Sequence, residues 1–247
     1  MLDGPRLIAD ALDARVRIEA ALIATDVIER LAPLRARLEA AGVRIHEATP
    51  RVVQAASDVV TSQGIVALAH RPASAQTAVL AAADLRLLVA DGIQDPGNLG
   101  TMIRTAAATA ATAVAVTGAA ADPWAPKALR ASMGAAFRIP ILRLEGRLLL
   151  EHLRAAGAAV YVADPRGALD YTRAALLPPL AIVVGNEAMG PDPAWLAAGT
   201  GVRIPLFGPV ESLNAAVAAA LLLYEATRRV ASPSSHAVGA VHDGRVG

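Results

Sequence analysis

The sequence predicts an α/β protein whose larger part is a mostly parallel β-sheet. From residue 85 onward, short apolar segments with strand character recur along the chain and are separated by helical stretches. These segments are continuously apolar, a pattern typical of parallel strands that helices cover on both faces. The predicted strands of this sheet cover residues 85–90, 113–117, 138–142, 159–163, 181–184 and 202–204.

A smaller α/β unit is predicted ahead of this sheet. Strand-like and helical segments alternate over the first 70 residues, and the longest predicted helix is arginine-rich and amphipathic, over residues 27–40. The predicted strands of this unit cover residues 16–23, 43–46 and 64–68. Residues 73–81, which follow this unit, are predicted to be a linker. After residue 230 the composition changes to Ser, Pro, Gly and His, which predicts a disordered tail over residues 231–247.

Composition excludes several classes of function. Aromatic residues make up 3% of the 247 residues, which argues against a sheet that binds single-stranded bases by stacking. No cysteine is present and the five histidines form no cluster with metal-ligand spacing, so we expect no metal site. No apolar run is long enough to span a membrane, and the start lacks a secretory leader. We therefore expect a soluble cytoplasmic protein.

The basic residues allow two interpretations. The net charge is +1, which neither requires nor forbids nucleic acid, and Lys127 is the sole lysine. Five arginines fall close together in the first part of the chain: Arg30, Arg35, Arg37, Arg44 and Arg51. A solvated helix face is the favoured interpretation of this group, and a phosphate-binding patch is the alternative.

The first of three polar strand ends follows the strand at 85–90. Its sequence, Asp91 to Arg104, contains glycines that permit tight turns and opens a helix whose N-terminus can hold an anion. Arg104 is expected one to one and a half turns into that helix. The spacing matches neither G-x-G-x-x-G nor a Walker loop, so a nucleotide-binding turn and a purely structural corner both remain open.

The second and third polar strand ends follow the strands at 181–184 and 202–204. The second is Gly-Asn-Glu-Ala-Met-Gly, in which Gly185 would let a ligand approach the backbone. The third is a Gly/Pro-broken loop, followed by a helix with Ser212 as its predicted N-cap. This helix is apolar on every face from Ala215 to Tyr224, so we expect it to be buried or docked against a partner.

The three strand ends together indicate a site that binds and orients. Ligands of open α/β sheets bind outside the carboxyl ends of the strands. These ends offer amides, hydroxyls and single carboxylates, and none offers His, Cys or a paired-carboxylate cleft. Group transfer from an already activated donor needs little more than such positioning.

These residues resemble the SpoU (TrmH-like) family of S-adenosylmethionine-dependent RNA ribose 2′-O-methyltransferases, within the SPOUT class. The family's three motifs resemble, in order, Asp95-Pro96-Gly97-Asn98-Leu99-Gly100 with Arg104, then Val184-Gly185-Asn186-Glu187-Ala188-Met189-Gly190, then Ile204-Pro205-Leu206 with Glu211-Ser212-Leu213-Asn214. The first residues and the strand at 64–68 resemble the ribosomal-protein-like domain of members that modify large-subunit ribosomal RNA. The resemblance therefore implies an RNA substrate-binding domain over residues 1–72 and a SPOUT methyltransferase domain over residues 82–230.

The resemblance also implies a fold detail, a cofactor and partners. The carboxy-terminal part of the sheet would form a trefoil knot, S-adenosylmethionine would bind in it, and the enzyme would be a homodimer acting on RNA, with 23S rRNA favoured. The residues implied as catalytic are Arg104, Asn98, Glu187, Ser212 and Asn214. The residues implied as cofactor-binding are Val184, Gly185, Asn186, Gly190, Ile204, Leu206, Ser212 and Leu213.

Other functions remain as alternatives. One is an RNA-binding relative that has lost catalysis, an alternative suggested by the low net charge. Another is a methyltransferase that acts on tRNA. A dinucleotide-dependent oxidoreductase is disfavoured because the glycine spacing does not fit it.

Overall fold

The computed structural model describes residues 1–231 and contains two β-sheets. The strands are β1 (Leu2–Asp3), β2 (Ile18–Ala24), β3 (Arg44–Ala48), β4 (Ile65–Ala69), β5 (Arg86–Asp91), β6 (Ala113–Thr117), β7 (Ile141–Arg143), β8 (Ala159–Ala163), β9 (Leu169–Asp170), β10 (Leu180–Gly185) and β11 (Thr200–Arg203). The helices are α1 (Pro5–Asp13), α2 (Ala32–Ala40), α3 (Pro50–Ala56), α4 (Gln76–Leu80), α5 (Pro96–Ala108), α6 (Pro126–Ser132), α7 (Gly146–Ala155), α8 (Pro193–Ala198) and α9 (Ala215–Ala231). Most of the predicted disordered tail lies outside the described residues, and its first residue, Ala231, ends α9.

The larger sheet has the strand order β7-β6-β5-β10-β8-β11-β9, and every neighbouring pair in it is parallel. The predicted α/β class with a mostly parallel sheet is therefore confirmed. Consecutive residues of a strand point to opposite faces, and both faces are buried. In β5, for example, Leu88 packs into one hydrophobic core and Leu87 into the other. This burial on both sides explains why the strand segments are apolar throughout.

The smaller sheet has the order β1-β4-β2-β3. Its two inner strands, β2 and β4, are antiparallel, while β2 and β3 are parallel. The carboxyl ends of β2 and β3 therefore lie at the same edge as the amino end of β4. No helix in the described part of the chain has the length and hydropathy needed to cross a membrane.

Several predicted boundaries were wrong, for identifiable reasons. The helix predicted from residue 27 begins at Ala32, because Pro33 is tolerated only in a first helical turn. The strand predicted from residue 138 begins at Ile141, directly after Pro140. The predicted linker contains α4, and the two-residue strands β1 and β9 were not predicted. By contrast, β6 and β8 match their predicted ranges.

Candidate functional site

A pocket opens at the carboxyl edge of the larger sheet, where β8, β10 and β11 end. In the parallel register, Val183 of β10 lies beside Val162 of β8, and Val202 of β11 lies beside Ala163. The loops that follow these strands therefore emerge together and meet the start of α9. The pocket has an open volume of about 650 Å³ and is lined by Ala163, Asp164, Pro165, Val184, Gly185, Asn186, Glu187, Pro191, Val202, Ile204, Leu206, Ser212, Leu213, Ala215 and Ala218.

Asn186 organises the loop after β10. Its Oδ1 accepts hydrogen bonds from the backbone N–H groups of Ala188 at 2.8 Å and Met189 at 3.1 Å. Its Nδ2 donates to the carbonyl oxygen of Gly92 at 3.0 Å, so one amide links the loops after β10 and β5. Asn186 thus has a structural role in shaping the pocket wall as well as lining it.

Gly185 is required by the path of the chain. A Cβ atom at this position would lie 2.1 Å from the backbone nitrogen of Pro191 and 2.5 Å from the carbonyl carbon of Gly190. The loop therefore folds back onto Gly185 at a distance that no side chain permits. The predicted reason for this glycine was close approach of a ligand; Gly185 does line the pocket, but its own loop already excludes a side chain.

Three of the predicted catalytic residues form a chain of hydrogen bonds at the pocket rim. Asn214 Nδ2 donates to Asn98 Oδ1 at 3.0 Å, and Asn98 Nδ2 donates to Glu187 Oε1 at 2.5 Å. Each residue comes from a different motif, and 116 positions separate Asn98 from Asn214. The fold therefore joins all three polar strand ends through side-chain amides and one carboxylate.

Asn214 also caps α9, and the prediction of Ser212 as the cap was wrong. Asn214 Oδ1 accepts from the backbone N–H groups of Ala216 at 2.9 Å and Val217 at 3.3 Å, which are donors of the first turn. Because the cap uses Oδ1, the Nδ2 group remains available for Asn98. Ser212 lies two residues earlier, exposed, in the lining of the pocket.

Asp95 fixes the start of α5 and with it the position of Asn98. Its side chain accepts from the backbone N–H of Asn98 at 2.8 Å and forms a 2.6 Å ion pair with Lys127. The Lys127 ammonium, and then the Asn98 N–H, hold the pKa of the Asp95 carboxyl below its ordinary value. Asp95 is therefore a charged N-cap whose ionised form favours this helix start.

Arg104 lies away from this cluster. It is eight positions after Pro96, a little over two helical turns, so the predicted depth of one to one and a half turns was too small. Six positions separate it from Asn98, which places the two Cα atoms about 9 Å apart along the axis and on different faces. Arg104 is exposed and lines a separate cavity of the larger sheet's domain together with Ser132, Met133 and Arg138.

Seven of the eight predicted cofactor-binding residues line the first pocket: Val184, Gly185, Asn186, Ile204, Leu206, Ser212 and Leu213. The eighth, Gly190, lies in the loop beside it, where it bridges back to Asn186. Sequence reasoning missed Asp164 and Pro165, which follow β8. The signal was available, since Asp-Pro directly follows an apolar strand, but β8 carries no recognised motif.

The charge of the lining restricts the ligand. Among the described residues, those that line the pocket include two acidic side chains, Asp164 and Glu187, and no basic one. The remaining lining is mostly apolar side chains and strand-end backbone, whose N–H and C=O groups can orient a polar molecule. No group of three or more metal-ligand side chains is present within residues 1–231. Asp164 forms a 3.7 Å ion pair with Arg166, whereas Glu187 has no cationic partner within residues 1–231, so the arrangement suits a ligand with a positive charge near Glu187 and a large apolar surface.

Comparison with protein families gives two matches that together span most of the chain. The family model described as "SpoU rRNA Methylase family" matches residues 86–224. The model described as "RNA 2'-O ribose methyltransferase substrate binding" matches residues 1–75. The first match contains the pocket and the hydrogen-bonded cluster, and the second contains the smaller sheet.

Individual relatives agree with the family matches. The chain is 34% identical to 23S rRNA (guanosine(2553)-2'-O)-methyltransferase RlmP of Bacillus subtilis, over 91% of this chain and 86% of the relative. Two solved structures are similar along most of their length. The AdoMet-bound rRNA methyltransferase from Sinorhizobium meliloti has a TM-score of 0.79 and 31% identity, covering 92% of this chain and 86% of that one. The SpoU methyltransferase AviRb of Streptomyces viridochromogenes, in complex with AdoMet, has a TM-score of 0.80 and 30% identity, covering 93% and 89%.

Proposed function

The chain belongs to the SpoU family of rRNA methylases, and on that premise we propose that it methylates large-subunit ribosomal RNA at the pocket described above. It is an RNA 2′-O-ribose methyltransferase that uses S-adenosylmethionine. Ribosomal RNA is favoured over tRNA because the similar enzymes that cover most of this chain are rRNA methyltransferases. The observation that carries the assignment of the site is the hydrogen-bond chain from Asn214 through Asn98 to Glu187, on the rim of a pocket with no basic side chain.

The pocket residues fit S-adenosylmethionine. The molecule carries a sulfonium and an ammonium group, which suit a lining with acidic and no basic side chains. Its adenosine part is large and flat, and Leu206, Leu213 and Ala218 provide apolar contact surface. Backbone groups of the loops after β10 and β11 would hold its polar edges.

The chain's own residues supply positioning in the proposed reaction. S-adenosylmethionine bound in the pocket would supply an activated methyl group to the ribose 2′-oxygen, with the carbon–sulfur bonding pair staying on sulfur and the hydroxyl proton passing to water. Asn98 is held by two hydrogen bonds, so it is oriented before the substrate arrives. Glu187, Ser212 and Asn214 shape the rim and exclude alternative poses. Holding reactants in line in this way can supply several orders of magnitude of rate.

Arg104 is proposed to bind an RNA phosphate and to orient the acceptor ribose. A guanidinium is not deprotonated in proteins, so a role as general base is disfavoured. Arg104 is exposed and, within residues 1–231, forms no hydrogen bond or ion pair, which leaves its fork of donors free for phosphate. Substitution Arg104→Lys tests this role. Methylation close to the wild-type rate at neutral pH would show that bidentate binding is unnecessary.

The finer features of the enzyme remain proposals. We propose that the strands around β10 and α9 form a trefoil knot, that residues 1–72 and 82–230 are separate domains, and that the enzyme works in the cytoplasm. A homodimer is supported by α9, whose buried face packs into the core while Val217, Leu221 and Tyr224 form an exposed stripe at helical spacing. Substitution Leu221→Glu should convert the dimer to a monomer in sedimentation experiments.

Methyl transfer from radiolabelled S-adenosylmethionine to an unmodified 23S rRNA transcript tests the function directly. We expect incorporation at a 2′-oxygen, detected as a position that resists alkaline hydrolysis. Incorporation into tRNA alone would refute the ribosomal substrate. If calorimetry detects no S-adenosylmethionine binding at millimolar concentration, the chain is an RNA-binding relative without catalysis.

A further inference from the structure

A second polar pocket lies at one edge of the smaller sheet. It is formed by the residues after β2, the start of α3 after β3, and the residues that lead into β4, which the strand directions bring to the same edge. The pocket has an open volume of about 630 Å³ and is lined by Ala24, Asp26, Val27, Arg30, Pro50, Arg51, Gln54, Ser62, Gln63 and Gly64. It shares no residue with the pocket of the larger sheet.

Ion pairing divides the five arginines that the sequence groups together. Three of them are neutralised by carboxylates: Arg35 pairs with Glu39 and Glu47 at 2.9 and 2.6 Å, Arg37 with Asp13 at 2.6 Å, and Arg44 with Glu19 at 3.0 Å. Within residues 1–231, the other two, Arg30 and Arg51, form no ion pair, and both line the second pocket. Arg30 and Arg51 are exposed as well, and the alternative interpretation, a phosphate-binding patch, stays open for these two.

The overall charge of this part of the chain makes the two unpaired arginines more important. Residues 1–75 contain nine arginines and nine acidic residues, so their formal net charge is zero. Attraction to a polyanion must then come from local positive charge rather than from a basic domain. Arg15 and Arg17 are also exposed and unpaired, but they precede β2 and so lie at the opposite edge of the sheet.

The walls of the second pocket are held in place before any ligand binds. Arg30 donates to the carbonyl oxygen of Gln63 at 3.0 Å, which orients its guanidinium and leaves further N–H donors free. Gln54 donates to the carbonyl oxygen of Val59 at 3.0 Å and accepts from the N–H of Ser62 at 2.9 Å. These bonds fix the loop before β4, so binding need not order it.

We propose that Arg30 and Arg51 bind phosphates of a single-stranded segment of the substrate RNA in this pocket. Two guanidinium groups in the lining of one pocket suit the phosphodiester backbone. The carboxylate of Asp26 in the same lining can accept a hydrogen bond from a ribose hydroxyl or a base amine, which selects a nucleotide over a simple anion. This inference rests on the proposed function, because it assigns RNA as the ligand.

The test compares two double variants of the full chain that remove the same charge. Arg30→Ala with Arg51→Ala removes the pocket arginines, and Arg15→Ala with Arg17→Ala removes unpaired arginines from the opposite edge. Dissociation constants for an unmodified 23S rRNA transcript are measured from low to high salt. Losing two phosphate contacts should reduce the slope of log affinity against log salt by about 1.4 and weaken binding about tenfold near physiological salt. The control pair should change affinity by less than about twofold.

The results distinguish an error in the pocket proposal from an error in the proposed function. We expect the pocket variant to keep wild-type affinity for S-adenosylmethionine and wild-type kcat at saturating RNA, with the whole effect in KM. Equal weakening by both double variants, or no weakening by the pocket pair, would refute the pocket while leaving the methyltransferase intact. Failure of the wild-type chain to methylate the transcript would instead refute the proposed substrate.

Discussion

The two sheets use the same topological device for different chemistry. In each, parallel strands end at a common edge and the following loops form a pocket there. The edge of the larger sheet collects amides, carboxylates and apolar side chains without a basic residue, whereas the edge of the smaller sheet presents two unpaired arginines. Strand topology thus determines where a ligand can bind. The side chains after each strand determine whether that ligand is a cationic methyl donor or an anionic polymer.

The largest effect should come from breaking the amide cluster of the larger sheet. Substitution Asn98→Ala removes both of its side-chain hydrogen bonds, to Glu187 and Asn214, and leaves the acceptor unpositioned. We expect methyl transfer to fall by about 10²-fold or more, since small misplacements have effects of that size. Single-turnover kinetics with saturating RNA measure this loss.

Thr101→Ala on the same helix is the control for Asn98, because the Thr101 side chain donates to the carbonyl oxygen of Gly97 and bonds to no member of the cluster. Its rate should stay within about threefold of wild type. RNA affinity should be unchanged in both variants. That result would assign catalysis to the larger sheet and RNA binding to the smaller one. If Asn98→Ala and Thr101→Ala methylate RNA at the same rate, the proposed role of the amide cluster in catalysis is refuted.

A second prediction concerns Gly185, onto which the loop after β10 folds back. In Gly185→Ala the new methyl group would lie 2.1 Å from the Pro191 nitrogen, so the loop must move away. Overpacking of this kind costs typically about 1–3 kcal/mol, and we expect Tm to fall by several degrees and S-adenosylmethionine affinity to drop. Gly208→Ala is the matched control, because nothing lies within 4 Å of a Cβ there. The affinity of Gly185→Ala for RNA should change least, because Arg30 and Arg51 lie in the pocket of the smaller sheet.

A third prediction separates the two roles of Asn214. Asn214→Ala removes both the cap of α9 and the bond to Asn98, with an expected loss of about 1 kcal/mol in the free energy of unfolding from the cap alone. Asn214→Ser keeps a capping oxygen but lacks the amide donor that reaches Asn98. We expect serine to restore Tm while methyl transfer stays low. Restoration of both properties would mean that Asn214 acts only as a cap.

The smallest effect concerns the ion pair at the start of α5. Lys127 lowers the pKa of Asp95, so this pair stabilises the fold above the ordinary carboxyl pKa, and the contribution is lost as pH falls through the lowered value. Lys127→Met should raise the Asp95 pKa measured by NMR and reduce stability slightly at neutral pH. The difference from wild type should vanish in acid. Lys127→Arg should behave as wild type; the pair is exposed, so a large effect would contradict this account.

Local sequence patterns predicted much of this protein because apolar continuity and turn residues act over short distances. The parallel sheet, the ranges of β6 and β8, and the three polar strand ends all followed from such patterns. The motifs also indicated the family and the activity, and the family matches confirm both. The predicted domain boundaries and the roles of the site residues stay predictions.

The errors arose where two local signals competed. Ser212 and Asn214 are both good capping residues, and the helix begins after the second because its side chain reaches the first-turn N–H groups. Arg104 was placed too shallowly because Pro96 starts the helix earlier than the glycines indicated. Neither choice could be made from residue types alone.

The residue types alone specified the fold class, most of the strands and which side chains follow each strand. Which of those side chains meet depended on the tertiary structure. Asn98 and Asn214 are joined across 116 positions, and Arg35 is neutralised while Arg51 is not. The physical reason is range: periodicity and capping act within a few residues, whereas a hydrogen bond or an ion pair between distant segments depends on strand order and register, which no local pattern encodes.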